Sequence, residues 1–271
     1  MPLASAADFS GARIVAARRF DDRCFVDRDE TVGVETPVAL AFNDDVFAVM
    51  LATPTDLEDF ARGFALTEGV VDDVAEIGAV EVRPASRGVE VRAAIPEARA
   101  LALRARRRAM AGRSGCGVCG ADSFAEALRP IAPVAGAVRI SPAALSRAVA
   151  ELSPRQTLNA RVGSVHAAAF ADCAGALRVV REDVGRHNAL DKTIGALARA
   201  GLDPAQGFVV VSSRCAYELV HKTAAAGIGL IAAVSAPTSL AVELAEKVGV
   251  GLVGFAREGR FTVYATPSRV G

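Results

Sequence analysis

The chain has 271 residues, 52% of them hydrophobic, and its 31 Lys and Arg are balanced by 31 Asp and Glu. A balanced charge gives no counterion release on a polynucleotide, which argues against nucleic acid as a partner. No stretch near ~20 residues lacks charged or strongly polar side chains, so no membrane span is expected.

The amino terminus, MPLASAADFSGARIVAARRF, mixes Asp8 and Arg13 into a short apolar segment and lacks the basic start and apolar run of a secretory signal. Five cysteines, three of them (Cys24, Cys173, Cys215) scattered singly, make a poor disulfide framework. A reducing cytoplasm is the expected compartment. The length suits two modest domains. They are read as residues 31–135, a small α+β unit, and residues 136–271, an α/β unit, after a tail or irregular lead-in over residues 1–30.

From Thr36, TPVALAFNDDVFAVMLA predicts two strands around a tight turn at Asn43 and Asp44. Thr53 and Pro54 read as a helix start, with Leu57, Phe60, Ala61 and Phe64 at helical spacing and Gly69 closing the element. IGAVEVR and GVEVRAAI form a second strand pair. Pro96 to Met110 reads as a helix carrying Arg104, Arg106, Arg107 and Arg108, and the glycine-rich loop AGRSGCGVCG follows.

Ser141 and Pro142 start another helix, with Leu145, Val149 and Leu152 on one face. HAAAFADCAGALRVVRE predicts a strand pair across Cys173 to Gly175, followed by a helix with a Leu190, Ile194 and Leu197 stripe. The short apolar strands GFVVVSS, GLIAAVS and GLVGFA then alternate with helices at about Cys215 to Ala226 and Pro237 to Val248, and FTVY adds a last strand. Such alternation predicts an α/β layer with a mostly parallel sheet.

The loop cysteines, Cys116 and Cys119, are the sharpest chemical feature. A Cys-x-x-Cys pair serves as a redox dithiol, as half of a zinc site, or as a nucleophilic thiol that carries a group. Structural zinc takes four thiolate or imidazole ligands. This chain has no second such pair, and its histidines are only His166, His187 and His221. No protein-ligated metal is therefore expected. A thioredoxin-like dithiol belongs at a strand-to-helix junction, whereas this pair follows a basic helix between glycines. Glycines 112, 115, 117 and 120 suit an exposed thiol arm, and Arg113 with the Arg106 to Arg108 cluster would favour thiolate. The plain alternative is that the arginines form a solvated helix face and both cysteines pack.

RRRAMAGRSGCGVCG, REDVGRHNALDKTIG, VSAPTSLAVELAEKVG and LVGFAREGRFTVY, in that order, resemble the signature segments of the FdhD family, accessory sulfurtransferases of formate dehydrogenases. TPTDLEDFARGFALTEG is similar to the family's amino-terminal helix, and the likeness runs from about Glu35 to Pro267. The resemblance implies a three-layer α/β/α, cytidine-deaminase-like second domain. It also implies a sulfur carrier that takes persulfide sulfur from a cysteine desulfurase and passes it to the molybdenum of bis-molybdopterin guanine dinucleotide, for a formate dehydrogenase to receive.

By the same resemblance Cys116 bears the persulfide and Cys119 helps to resolve or relay it. Phe255, Ala256, Arg257, Glu258, Gly259 and Arg260 contact the cofactor, and the protein is a homodimer. A turn with Gly259 admits close backbone approach, and Arg257 and Arg260 suit phosphate oxygens; a hairpin tip with solvated charges is the alternative. Arg181 to Lys192 would line the same cleft or simply cap a helix. Ser212, Ser213 and Arg214 read as phosphate ligands or, more safely, as a helix cap. Deaminase chemistry is not expected, because Ala168 stands where the His-x-Glu signature needs its acid. Two rivals to sulfur transfer stay open: a chaperone that only holds the cofactor, and a dithiol reductase.

Overall fold

The computed structural model describes residues 10–109, 130–136, 138–257 and 259–271, with residues 106–109 described by backbone alone. Where a tail or irregular lead-in is expected, the chain from Ala12 forms a ribbon of two ten-residue strands, β1 (Ala12–Asp21) and β2 (Cys24–Gly33). They pair antiparallel around Asp22, which takes the left-handed conformation (φ 47°). Alternation failed as a signal here because neither face of the ribbon is buried.

The next body is a four-stranded sheet ordered β4-β3-β6-β5. The expected hairpin is β3 (Thr36–Phe42) and β4 (Asp45–Ala52), and the second pair is β5 (Val80–Ala85) and β6 (Gly88–Ala93). β3 and β6 lie parallel in the middle. Alternate residues Val38, Leu40 and Phe42 meet Val89, Val91 and Ala93 on one face, and helix α1 (Leu57–Thr67) covers them with Phe60 and Phe64. The Thr53–Pro54 start signal is three residues early. Asp56 precedes the helix in a left-handed conformation (φ 52°), while Thr53 is buried and bonded elsewhere. The basic helix is α2 (Glu97–Ala109).

The second body is a six-stranded sheet ordered β12-β11-β10-β9-β7-β8. Its strands are β7 (His166–Asp172), β8 (Leu177–Asp183), β9 (Gly207–Val211), β10 (Leu230–Ala233), β11 (Gly251–Arg257) and β12 (Arg260–Ala265). The sheet is mixed, not mostly parallel: β9, β10 and β11 run parallel, and the hairpins β7–β8 and β11–β12 supply antiparallel margins.

Strand alternation sorts its side chains into two cores. Ala168, Phe170, Val209, Val211, Ile231 and Leu252 face helices α5 (Arg186–Arg199), α6 (Tyr217–Ala225) and α7 (Ser239–Val248). Ala167, Ala169, Phe208, Val210, Leu230 and Val253 face Leu145, Ala148 and Leu152 of α3 (Pro142–Arg155), whose start Ser141 caps as expected. Three α/β/α layers result. A single turn, α4 (Asn159–Val162), follows α3.

The two bodies join through α1 and α5, which cross backbone to backbone. A Cβ on Gly63 would fall 1.8 Å from the Asp191 carbonyl oxygen, and one on Gly195 would fall 1.9 Å from that of Asp59. Only glycine permits this approach. Around the crossing lies a buried polar network. Lys192 Nζ donates to Asp183 Oδ2 at 2.6 Å and to the Thr53 carbonyl at 2.8 Å, and both charged side chains are fully buried. Asp183 also accepts from Thr53 N, Gly185 N and Asn188 Nδ2. Lys222 Nζ donates to Asp191, Thr67 and Glu68. These bonds tie α1 and the end of β4 to α5 and α6.

Candidate functional site

Because β9, β10 and β11 are parallel, their carboxyl ends share one edge of the large sheet, and two antiparallel steps bring the end of β8 there as well. Each strand end feeds a helix or turn at that edge: β8 leads to α5 at Arg186, β9 to α6 at Tyr217, β10 to α7 at Ser239, and β11 into the turn before Arg260. Open α/β sheets bind ligands at the carboxyl ends of their strands, and helix amino termini favour anions there.

The loops at this edge are held together by main-chain bonds. Cys215 N donates to Ala236 O at 3.2 Å and Thr238 N to Cys215 O at 3.0 Å, so the β9 and β10 exits run side by side. Phe255 N donates to Ser235 O at 3.1 Å, which docks the β11 turn on the same exits. A strand irregularity between Gly254 and Arg257 permits this, with Phe255 at φ 51°. Phe255 is 42% exposed, Ala256 is buried, and Arg257, Gly259 and Arg260 are exposed, with Gly259 at φ 70°. Glu258 lies outside the described residues, as do Cys116 and Cys119.

Across the edge stand Arg186 and His187 at the start of α5, Glu218 in the first turn of α6, and His166 at the start of β7. His187 Nε2 is 3.7 Å from Glu218 Oε2. That imidazole is the largest influence holding the Glu218 carboxyl down at about 2, and Arg186 adds to it. Burial is the first cause lowering the His166 pKa, and the neighbouring Arg186 and His187 act in the same direction. Burial pushes the Cys215 thiol up to about 12, so this cysteine is a packed side chain without thiolate character.

The segment Arg181 to Lys192 divides. Arg186 and His187 reach the edge; the others do not. Arg181 pairs with Asp59 at 2.8 Å, Glu182 accepts from Leu158 N and Asn159 N, and Asp183, Asn188, Asp191 and Lys192 belong to the buried network. All of these except Glu182 bond to residues of the first body and so tie the two bodies together. The serines also depart from expectation: Ser212 Oγ accepts from Ala167 N and Ser213 Oγ donates to Arg214 O, while α6 starts after Ala216 without a side-chain cap. The sequence offers one face of the helix carrying Tyr217, Glu218, His221 and Lys222 as a border of the cofactor groove, and Glu218 stands at this edge. It weighs His166 only against deaminase zinc chemistry, and the position of His166 beside the strand ends comes from the fold.

These features define an α/β protein with cationic side chains and three helix starts along one sheet edge. Comparison with known proteins gives the family. Residues 33–271 match the model of the FdhD/NarQ family. A protein of Bordetella petrii named sulfur carrier protein FdhD is 48% identical over 243 residues, covering 90% of this chain and 87% of that one. Its namesake in Xanthomonas campestris pv. campestris is 52% identical over 241 residues, covering 89% and 86%. A crystal structure from Desulfotalea psychrophila, provisionally described as a formate dehydrogenase accessory protein, superimposes with a TM-score of 0.78 at 26% identity, covering 97% of this chain and all of that one. The chain belongs to the FdhD/NarQ family.

Proposed function

We propose that this protein is a cytoplasmic, homodimeric sulfur carrier serving a formate dehydrogenase. The thiolate of Cys116 attacks the terminal sulfur of a desulfurase persulfide; a new S–S bond forms on Cys116 and the desulfurase cysteine leaves as thiolate. Cys119 then attacks the Cys116 sulfur, giving a Cys116–Cys119 disulfide and releasing the terminal sulfur as sulfide for the molybdenum of bis-molybdopterin guanine dinucleotide. A thiol reductant restores the dithiol. The cofactor is cargo, taken at the carboxyl edge of the large sheet, with the Phe255 to Arg260 turn against its guanine dinucleotide.

The observation that carries this reading is membership of the family together with the presence of CGVCG inside the matched residues. Relatives near half identity bear the name sulfur carrier. Arg186, Arg257 and the helix starts of α5, α6 and α7 supply positive potential suited to a diphosphate-bearing cargo. Among the described residues no helix is long and apolar enough to cross a membrane, and no group of three His, Cys, Asp or Glu is placed to hold a metal ion.

The test is activation of a formate dehydrogenase in an extract lacking its own carrier. Wild type restores activity and Cys116→Ala does not. Equal activation by both proteins would favour a chaperone that holds the cofactor without carrying sulfur.

A further inference from the structure

We infer that the β1–β2 ribbon is a dimerisation arm: the open edge of β1 pairs antiparallel with β1 of a second copy, placing Ala17 opposite the partner's Ala17. This rests on the homodimer reading above and adds the surface and its register.

The ribbon is incomplete in one copy. Among the described residues β1 pairs with β2 alone, and the two strands form a separate two-stranded sheet. Two-stranded ribbons are marginal in water unless a further strand or a packed face supports them. This one shows apolar side chains to solvent: Ile14 is 70% exposed, Phe20 59% and Phe25 61%. All three lie on one face, since Ile14 and Phe20 are even-numbered on β1 and Phe25 is the cross-strand partner of Phe20, with their rings 5.2 Å apart. The edge from Arg13 to Asp21, with no strand beside it among the described residues and such a face next to it, is a template for strand addition.

The pattern of β1 selects a second copy of itself. The turn at Asp22 and Arg23 makes Asp21 and Cys24 the closing pair, so odd-numbered residues of β1 direct their peptide groups at β2. Ala12, Ile14, Ala16, Arg18 and Phe20 therefore direct theirs at the open edge. A two-fold pairing must match even residues with even residues to satisfy those groups.

Three such registers keep most of the strand paired, and charge separates them. With Ala17 on the axis, Arg13 faces the partner's Asp21 and Ile14 faces the partner's Phe20, each twice by symmetry. Sliding one way sets Arg18 against the partner's Arg18; sliding the other sets Arg13 against the partner's Arg19. Like charges directly opposite disfavour pairing. The central register alone matches opposite charges and apolar groups, and it extends two apolar clusters across the joined sheet.

The test uses the full chain and reads its mass in solution by sedimentation. Wild type is expected at twice the 28.0 kDa chain mass. Arg13→Asp and Asp21→Arg should each raise the dimer dissociation constant at least about tenfold, and the double variant should restore it. The two residues lie roughly 27 Å apart along one strand, so rescue cannot arise within one chain. Ala17→Cys adds a readout that tolerates loss of stability elsewhere. Facing residues at this non-hydrogen-bonded position lie about 4.5 Å apart, within disulfide reach, so mild oxidation should give a 17-to-17 crosslinked peptide. A dimer unaffected by charge reversal and lacking that crosslink overturns the arm and leaves the homodimer standing. A wild-type monomer overturns both.

Discussion

Replacing Gly63 by alanine tests the junction that fixes the two bodies relative to the candidate site. The added methyl would sit 1.8 Å from the Asp191 carbonyl oxygen, so α1 and α5 must separate by about 1.5 Å to reach ordinary contact. Two effects oppose one another. Alanine is a better helix former than glycine by about 1 kcal/mol. Against this, overpacking a fixed backbone contact costs about 1–3 kcal/mol. Separation also stretches the bonds to buried Asp191 from Thr67 at 2.7 Å and Lys222 at 2.9 Å. Weakening the pairing of a buried charge adds a cost of about 2 kcal/mol, on the scale of fully broken buried pairs at 3–5. The net expectation is a loss of about 2–4 kcal/mol, read from guanidinium denaturation followed by far-ultraviolet circular dichroism. Unchanged or increased stability would mean that helix propensity dominates and that the helices are not in backbone contact.

Lys192→Met leaves Asp183 buried without its cation and should cost about 3–5 kcal/mol in the same assay; a loss below about 1 kcal/mol would contradict the buried pair. Alkylation of the native protein near neutral pH should label exposed Cys24 and Cys173 but spare buried Cys215, as peptide mass spectrometry would show; prompt labelling of Cys215 would refute its burial. The His166 pKa lies below 6.5 in the folded chain, so the unfolded chain binds the proton first, and this group's contribution is present above 6.5 and lost as pH falls below it. His166→Gln should flatten that part of the profile in denaturation midpoints on either side of 6.5, and an unchanged slope would refute it. Charge reversal at Arg257 and Arg260 together should weaken guanine-dinucleotide binding at least tenfold by calorimetry, about 1.4 kcal/mol or more; unchanged affinity would remove the turn from the site.

Much of the second body was legible in sequence because its strands are short apolar runs separated by glycine-started turns and helices with clear stripes. Leu190, Ile194 and Leu197 face the core as their spacing predicts, and Ser141 caps α3. Strand direction was less legible: the run HAAAF announces a strand, yet nothing local says that β7 enters antiparallel to β9. The ribbon was missed because a strand exposed on both faces has no period to show. In the site, residue types were readable and pairings were not. Asp183, Asp191 and Lys192 look like cleft residues until their partners arrive from Thr53 and Thr67, more than a hundred positions away. The turn from Phe255 to Arg260 enters as a candidate through resemblance alone. Its juxtaposition with Ser235 and the β9 exit required the fold.

Central to the account is a sulfur held on Cys116. The most direct measurement is the intact mass of the protein after incubation with a cysteine desulfurase and free cysteine, followed by peptide mapping. Wild type should gain one sulfur atom on the peptide containing Cys116, removable by a thiol reductant, and Cys116→Ala should gain none there. An equal sulfur load on both proteins, or none on either, would contradict it.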